Sequence, residues 1–430
     1  MLTLACSLKA ALVACAALQC PASGAVCAQQ LGSASDNGED ARLGYDINPG
    51  TGNLFLSHTD IELRPALAPV LAFQRYYNSQ GNGVDVGLGL NWTHSFSWSI
   101  SVVGFVASIR RDTGQVVEFT QNGGAWRAQS GEFGTLIGSS SGGFTYTTKY
   151  GTAYGFANTT TYDGRLLSIT PADDTAITLL YSGTRLAKVS SGNVSLDFSY
   201  SGVHIAAIED WNTQQYWRYQ YDGSNDLRLV GFPNTDGTSY GETIYDYANV
   251  FVGGATFNVG SSSGQLTRVA VRQSAGTFVP VAYFSYENPI LGATQVVHAA
   301  SGFDGTNLLR PVFLSYSLFR CGVSTAIATY TPGFYTKTLT SQGTSSLNLQ
   351  RLTSIASTGG SGAPGEFTNA AYSWDSSLRL TAFTNANGYI RALTSYDALG
   401  TPPPWSKPRG ALSRGRRPLP TTPCSPARWQ

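Results

Sequence analysis

A tyrosine returns about every twenty residues through the middle of the chain, and this period restricts the possible folds more than any other feature. Four units abut: Tyr162-Asp163-Gly164, Tyr181-Ser182-Gly183, Tyr200-Ser201-Gly202 and Tyr221-Asp222-Gly223. After each turn come two aliphatics three positions apart: Leu166 and Ile169, Leu186 and Val189, Ile205 and Ile208, Leu227 and Val230. Before three of the tyrosines the apolar residues alternate: Ile177, Leu179, Tyr181, then Leu196, Phe198, Tyr200, then Trp217, Tyr219, Tyr221. A period of two places each set on one face of a strand. The unit is therefore a strand ending in Tyr, a turn built on Asp or Ser plus Gly, and a second strand opening at an Arg-Leu-like step. Two such strands and two turns fill the period. One hairpin buries too little apolar surface to persist alone, whereas stacked hairpins share a continuous apolar face. The predicted fold class is all-β, with stacked antiparallel β-hairpin repeats forming a long spiralling sheet. Tyr162, Tyr181, Tyr200, Tyr221 and Tyr396 are the predicted repeat-core positions.

Weaker copies follow at Gly264-Gln265-Leu266 with Val269, Tyr286-Glu287, Arg351-Leu352 with Ile355, and Trp374-Asp375 with Leu380 and Phe383. Tyr396-Asp397-Ala398-Leu399-Gly400 closes the series. The Gly/Ser-rich stretches Gly260 to Gly264 and Thr358 to Gly365 read as surface loops. Composition agrees. Charged residues are only 12%, while Tyr stands at 23, Phe at 20 and Gly at 48, the mixture that strands and tight turns need. Between Gln29 and Gly400 lie 20 basic and 26 acidic residues, so no nucleic-acid partner is expected for the body of the protein.

The two ends differ from the body. Lys9 is the only charge before Asp36, and the apolar run Ala10 to Leu18 is too short to span a bilayer. Val26-Cys27-Ala28 sets small residues at a cleavage site. Residues 1–28 are thus read as an export signal rather than a buried helix, giving an exported protein with no transmembrane segment in the mature chain. Cleavage would leave only Cys321 and Cys424, which make no disulfide framework. Beyond Gly400 lie eight of the chain's 19 prolines and six basic residues without an acid. Proline cannot donate to a strand ladder, so the repeat is expected to stop there. The tail has the composition of out-of-frame translation, with a disordered basic linker as the alternative.

A second block precedes the repeats. It reads, in order, Thr51-Gly52-Asn53-Leu54-Phe55, Asp60-Ile61-Glu62-Leu63, Phe73-Gln74-Arg75-Tyr76-Tyr77-Asn78-Ser79 and Leu88-Gly89-Leu90-Asn91-Trp92-Thr93-His94-Ser95-Phe96. Together the two blocks, about residues 45 to 400, resemble the Rhs / YD-repeat family with its N-terminal Rhs module. Asn91 departs from the family's usual Gly before the Trp. The resemblance implies a hollow shell around a C-terminal toxin used in bacterial competition. This chain has no Asp-Pro dipeptide and so lacks the family's self-cleaving core motif. The expected organisation is a signal peptide (1–28), a disordered linker (29–44), an N-terminal Rhs-type β module (45–155), a YD-repeat ribbon (156–400) and a Pro/Arg-rich tail (401–430). The implied role is structural and encapsulating, as an incomplete N-terminal portion of such a shell, with far fewer repeats than a closed shell needs and without the toxin or its cutting site. The implied partners are a toxin cargo, the remainder of a shell, or cell-surface glycans, and no cofactor is expected. A secreted carbohydrate- or surface-binding adhesin module is the rival reading.

Candidate chemistry is sparse. Ser57, His58 and Asp60 suggest a triad, but strand neighbours point to opposite faces, so Ser57 and His58 would not converge. A polar strand end is the expected role. His94 reads as a packed ring between Trp92 and Phe96. His204 and His298 are isolated, and no metal-ligand spacing occurs. Asp173-Asp174 reads as a turn and Glu209-Asp210 as a polar strand end. Trp217 and Tyr219 could stack on a sugar if exposed, although their register matches the apolar positions of the neighbouring repeats.

Overall fold

The computed structural model describes residues 53–396 apart from 82, 130–131, 234–241, 253–254, 258–263, 275–276, 288–295, 304–307, 318–322, 331–334, 344–349, 360–369, 376–378, 385–389 and 393–395. The expectations for the signal segment, the linker, the tail, Cys321 and Cys424 fall outside the described residues.

Every described element is a strand or a turn. Strands β1 (Phe55–Leu63), β2 (Leu71–Asn78) and β3 (Trp92–His94) form one small antiparallel sheet. Four more, β4 (Ser99–Val103), β5 (Val106–Arg110), β6 (Val116–Asn122) and β7 (Ala125–Ala128), form a second. The large sheet begins with β8 (Thr135–Ser139), β9 (Gly143–Thr147) and β10 (Ala153–Phe156). It continues through β11 (Leu166–Thr170), β12 (Ile177–Ser182), β13 (Arg185–Ser191), β14 (Val194–Ser201), β15 (His204–Asp210), β16 (Gln215–Tyr221), β17 (Leu227–Gly231) and β18 (Thr243–Asp246). A separate hairpin, β19 (Val250–Val252) with β20 (Ala255–Phe257), interrupts the order. The sheet resumes at β21 (Arg268–Ser274) and β22 (Thr277–Glu287) and runs, strand by strand, to a last strand at Ile390–Ala392. Each of its strands pairs antiparallel with the next in the chain, the arrangement expected of stacked hairpins. No described register joins the last strand to the first.

One structural device explains the aliphatics three apart. In a regular strand, side chains three apart face opposite ways. Here each second strand carries a β-bulge: Leu180 pairs with Lys188, but Tyr181 pairs with Leu186, leaving Ala187 over. The same shift recurs at Tyr200 with Ile205 and at Tyr221 with Leu227, where Ala206 and Arg228 are the extra residues. Phe156 with Leu166 and Trp374 with Leu380 repeat it. The bulge adds one residue to the strand, so Leu186 and Val189 both turn inward, as do Ile205 with Ile208 and Leu227 with Val230. All six belong to one core, shared with Leu54, Phe73, Trp92 and Phe119 of the N-terminal sheets.

The repeat tyrosines form a ladder of latches. Tyr181 Oη donates to the Leu166 carbonyl at 2.8 Å, Tyr200 to Leu186 at 2.9 Å and Tyr221 to Ile205 at 2.8 Å. Tyr247 and Tyr286 do the same to Leu227 and Leu266, at 3.0 and 2.8 Å, and Tyr396 to Leu380. The residue before each acceptor often covers the same ring. Arg165 lies 5.0 Å above Tyr181, Arg185 5.4 Å above Tyr200 and Arg379 5.0 Å above Tyr396, while His204 stacks on Tyr221 at 4.5 Å. The Arg-Leu step and the following tyrosine are thus one interaction. The Leu carbonyl accepts the hydroxyl while the basic side chain covers the ring, tying each hairpin to the one before it.

Tyr162 is the exception. Expected in the repeat core, it is 52% exposed and only Arg165 lies over it, at 5.8 Å. No repeat precedes it to supply an acceptor carbonyl. Its turn instead meets the N-terminal sheet: Ile100 donates its amide to the Gly164 carbonyl, and a Cβ on Gly164 (φ +61°) would lie 1.9 Å from the Ile100 oxygen. Only glycine fits so close an approach. Of the Gly/Ser stretches expected as surface loops, residues 260–263 and 360–365 lie outside the described residues; Gly264 is buried, and Thr358 and Gly359 belong to strand Gln350–Gly359.

Candidate functional site

The polar residues of the N-terminal block converge where β1 and β2 meet the ribbon. In β1, Thr59 pairs with Gln74 and Ile61 with Phe73, so Asp60 is the extra residue of a bulge and its carboxylate turns inward. Arg75 on β2 reaches it from the facing strand, with Nε 2.5 Å from Oδ2 and Nη2 2.9 Å from Oδ1. Both side chains are fully buried. The ribbon completes the shell around them. Tyr219 of β16 donates to Asp60 Oδ2 at 2.9 Å, and the Tyr245 hydroxyl of β18 lies 3.3 Å from Nη1 and Nη2 of Arg75. The guanidinium stands 5.1 Å from the Trp92 ring and 5.6 Å from the Tyr245 ring. This clasp joins strands separated by more than 140 positions in the chain.

Burial opposes charge on both partners, yet each holds the other ionised. Desolvation would raise the Asp60 carboxyl, but the charge and hydrogen bonds of Arg75, with the His58 bond, outweigh it and keep the group below the usual carboxylate range. Arg75 is likewise held above its ordinary value despite burial, chiefly by Asp60. Tyr219 and Tyr245 are raised by burial and stay neutral, Tyr219 donating to Asp60 and Tyr245 accepting from Arg75. With its oxygens engaged by Arg75, Tyr219 and His58, Asp60 is occupied as a structural anion. His58 Nδ1 lies 3.0 Å from Asp60 Oδ1, whereas Ser57 is exposed on the other side of the strand. The three do not converge as a triad, and Asp60 is a buried centre rather than a polar strand end.

The other flagged residues are also bound into the packing. Trp217 and Tyr219, considered as a stacking platform, are 6% and 3% exposed and face the core. Phe73 meets Tyr219 edge-on at 6.0 Å, so this face is covered by the N-terminal sheet. His94 is buried and stacked on Phe73 at 5.3 Å, and desolvation lowers its pKa to about 4. His204 is not isolated: its Nε2 lies 2.8 Å from Asp85 Oδ2. Asp210, also buried, accepts from the Asn212 amide and the Thr213 hydroxyl and so shapes a turn. Asp173 and Asp174 lie in an exposed turn.

Asn91 takes a backbone conformation that glycine favours. Its φ is +67°, a left-handed conformation that Gly adopts freely and Asn tolerates best among L-residues. Its side chain adds two bonds that Gly lacks, accepting from the Gly83 amide at 2.9 Å and donating to the Gly264 carbonyl at 3.1 Å. Tyr77 donates to the same carbonyl at 3.0 Å and accepts from the Leu266 amide at 2.8 Å. Sequence reasoning missed Tyr245 and Tyr247. The inserted segment 234–241 breaks the period ahead of them, and the one available signal was the Leu227 that awaited a tyrosine about twenty residues on.

Among the described residues no group of His, Cys, Asp and Glu could hold a metal ion, and no helix is long and apolar enough to cross a membrane. No curated protein matches the chain. In solved structures it is similar to the Tc holotoxin pore of Photorhabdus luminescens carrying a mutant TccC3, at 10% identity and a TM-score of 0.21, over 81% of this chain and 23% of that one. It is also similar to the TcdB2-TccC3-TEV crystal structure, at 10% identity and a TM-score of 0.19, over 82% of this chain and 23% of that one. TcdB2-TccC3-Cdc42 gives 11% identity and a TM-score of 0.20, over 79% of this chain and 22% of that one. The chain thus spans under a quarter of each of these proteins. By sequence, residues 44–119, the stretch that holds Asp60, Arg75, Asn91 and Trp92, match the family model described as Domain of unknown function (DUF6531).

Proposed function

We propose that this chain is a wall element, an exported, non-catalytic YD-repeat protein of the Rhs type that encloses a passenger polypeptide. The observation that carries the reading is the latch ladder. One tyrosine per repeat is spent on fixing each hairpin to its predecessor, a device that extends a sheet one hairpin at a time. The clasp supports it too, because the polar residues with the most catalytic appearance are consumed in docking the N-terminal strands on the ribbon. In this reading the N-terminal sheets close the start of the wall, the enclosed cargo is a toxin used in bacterial competition, and export follows cleavage before Gln29. Neither nucleic acid nor a cofactor takes part. Electron microscopy of the full chain tests the main claim: a curved wall around a lumen is expected, and a solid particle would refute it. N-terminal sequencing of the exported protein tests the processing, with Gln29 as the expected first residue and an intact Met1 as the contrary result.

A further inference from the structure

A cleft of about 490 Å³ opens where the start of β4 meets the turns of the ribbon, within the range of about 300 to 1,000 Å³ usual for ligand sites. Among the side chains around it are Ser99, Arg165, Tyr181, Arg185, Tyr200 and Val203. Ser99 is the join between the two sides. It bridges Arg165 on one side and pairs with Arg110 of β5 on the other, and residues paired in this way project from the same face. Arg110 thus stands beside the lining. Val203 is 64% exposed and gives the cleft an apolar patch open to solvent.

Two arginines of the lining are held by their faces. Arg165 lies 5.0 Å above Tyr181 and Arg185 5.4 Å above Tyr200. Stacking uses the face of a guanidinium, while its N–H donors point outward in the plane, where a carboxylate can take two of them. Arg165 spends its donors inside the protein, on the Tyr162 and Gly183 carbonyls at 2.9 and 2.6 Å, and has Asp163 at 4.0 Å. The other acid of the lining, Asp85, is also engaged. It accepts from the Gly87 and Gly89 amides at 2.8 and 3.1 Å and meets His204 at 2.8 Å. That leaves Arg185 and Arg110. Arg185 is exposed, and among the described residues no acid or hydrogen-bond acceptor meets it. Arg110 is half-buried, and burial lowers its pKa with no acid opposing the shift. A partly desolvated cation without a counter-charge is stabilised by an incoming anion. The patch at Val203 adds apolar surface, which a hydrated inorganic anion cannot use and an apolar side chain can.

We infer that this cleft takes a short acidic stretch of polypeptide, with one carboxylate on the Arg185 fork, another on Arg110, and an apolar side chain against Val203. The inference rests on the cleft alone, so its failure leaves the wall reading intact. Saturation-transfer-difference NMR on the full chain tests it. The probe is a pentapeptide of alternating Glu and Val, blocked at both ends, with its Gln/Val and Lys/Val counterparts for comparison and inorganic phosphate as competitor. Transfer to the Glu/Val peptide is expected, with an affinity that falls as salt rises from about 20 to about 500 mM. The Gln/Val peptide should bind at least about tenfold more weakly, the Lys/Val peptide should show no transfer, and equimolar phosphate should not displace the probe. Arg185→Gln and Arg110→Gln should each weaken binding about tenfold, the worth of one charge-assisted hydrogen bond at an accessible site, while the remote Arg64→Gln leaves it unchanged. Arg185 bonds nothing in the fold, so its variant should keep the parent melting temperature and separates lost binding from lost structure. No transfer to the Glu/Val peptide, equal binding of the Gln/Val or Lys/Val peptide, displacement by phosphate, or an affinity unchanged in either arginine variant would each overturn the inference.

Discussion

Replacing Arg75 with Met tests the clasp through the sign of a pH dependence. In the parent protein the Asp60 carboxyl is held below its ordinary value, so its contribution to stability is present above the unfolded-state pKa of about 3.9. That contribution is lost as pH falls through the folded-state value. Arg75→Met keeps much of the side-chain volume but removes the charge and both short bonds, leaving Asp60 with Tyr219 at 2.9 Å and His58 at 3.0 Å. Breaking one side of a buried pair costs about 3–5 kcal/mol, because the remaining charge stays desolvated. Burial is then less opposed, the carboxyl rises, and the folded state gains by taking up a proton. The variant should therefore lose about 3–5 kcal/mol at neutral pH in urea unfolding and recover part of it on acidification, where the parent loses stability. The double variant with Asp60→Asn should be more stable than Arg75→Met alone at neutral pH. A loss under about 0.5 kcal/mol, or a variant that weakens on acidification as the parent does, would refute the argument.

Three other expectations follow from the geometry. Tyr200→Phe should cost about 0.5–1.5 kcal/mol through the lost bond to Leu186, and Tyr200→Ala about 3–5 kcal/mol, whereas Tyr162→Ala should stay within about 0.5 kcal/mol; equal effects at the two positions in thermal unfolding would contradict the latch. Asn91→Gly should be milder than Asn91→Val, which adds left-handed strain of about 1–3 kcal/mol to the loss of the Gly83 and Gly264 bonds, and denaturation midpoints in the reverse order would exclude a backbone cause. The Asp226 carboxyl is pushed up to about 6, by burial first and then by Asp222 and Asp85. Its protonated form favours the fold, so that contribution is complete below about 3.9 and fades as pH rises through about 6. Asp226→Asn should accordingly stabilise the protein at pH 8 relative to the parent and do so less at pH 4; a pH-independent difference would show that the shift has another origin.

The repeat was legible because its determinants are local. Strand alternation, the Gly-bearing turns and the Arg-Leu step all lie within about twenty residues of one another, and together they fix hairpins and their stacking. Even the bulge left a trace, since aliphatics three apart, as at Leu186 and Val189, cannot share a face in a regular strand. Its consequence, a tyrosine hydroxyl latched to the preceding hairpin, required the backbone. The clasp was beyond reach for a different reason. Asp60, Arg75, Tyr219 and Tyr245 form no local pattern, and pairing Arg75 with Tyr245 depends on how a three-stranded sheet docks across a ribbon. The same docking buries Trp217 and Tyr219, while Tyr162 stays exposed. Periodicity in a sequence fixes which face a side chain takes, but burial and polar pairing depend on what covers that face, and only long-range packing decides that.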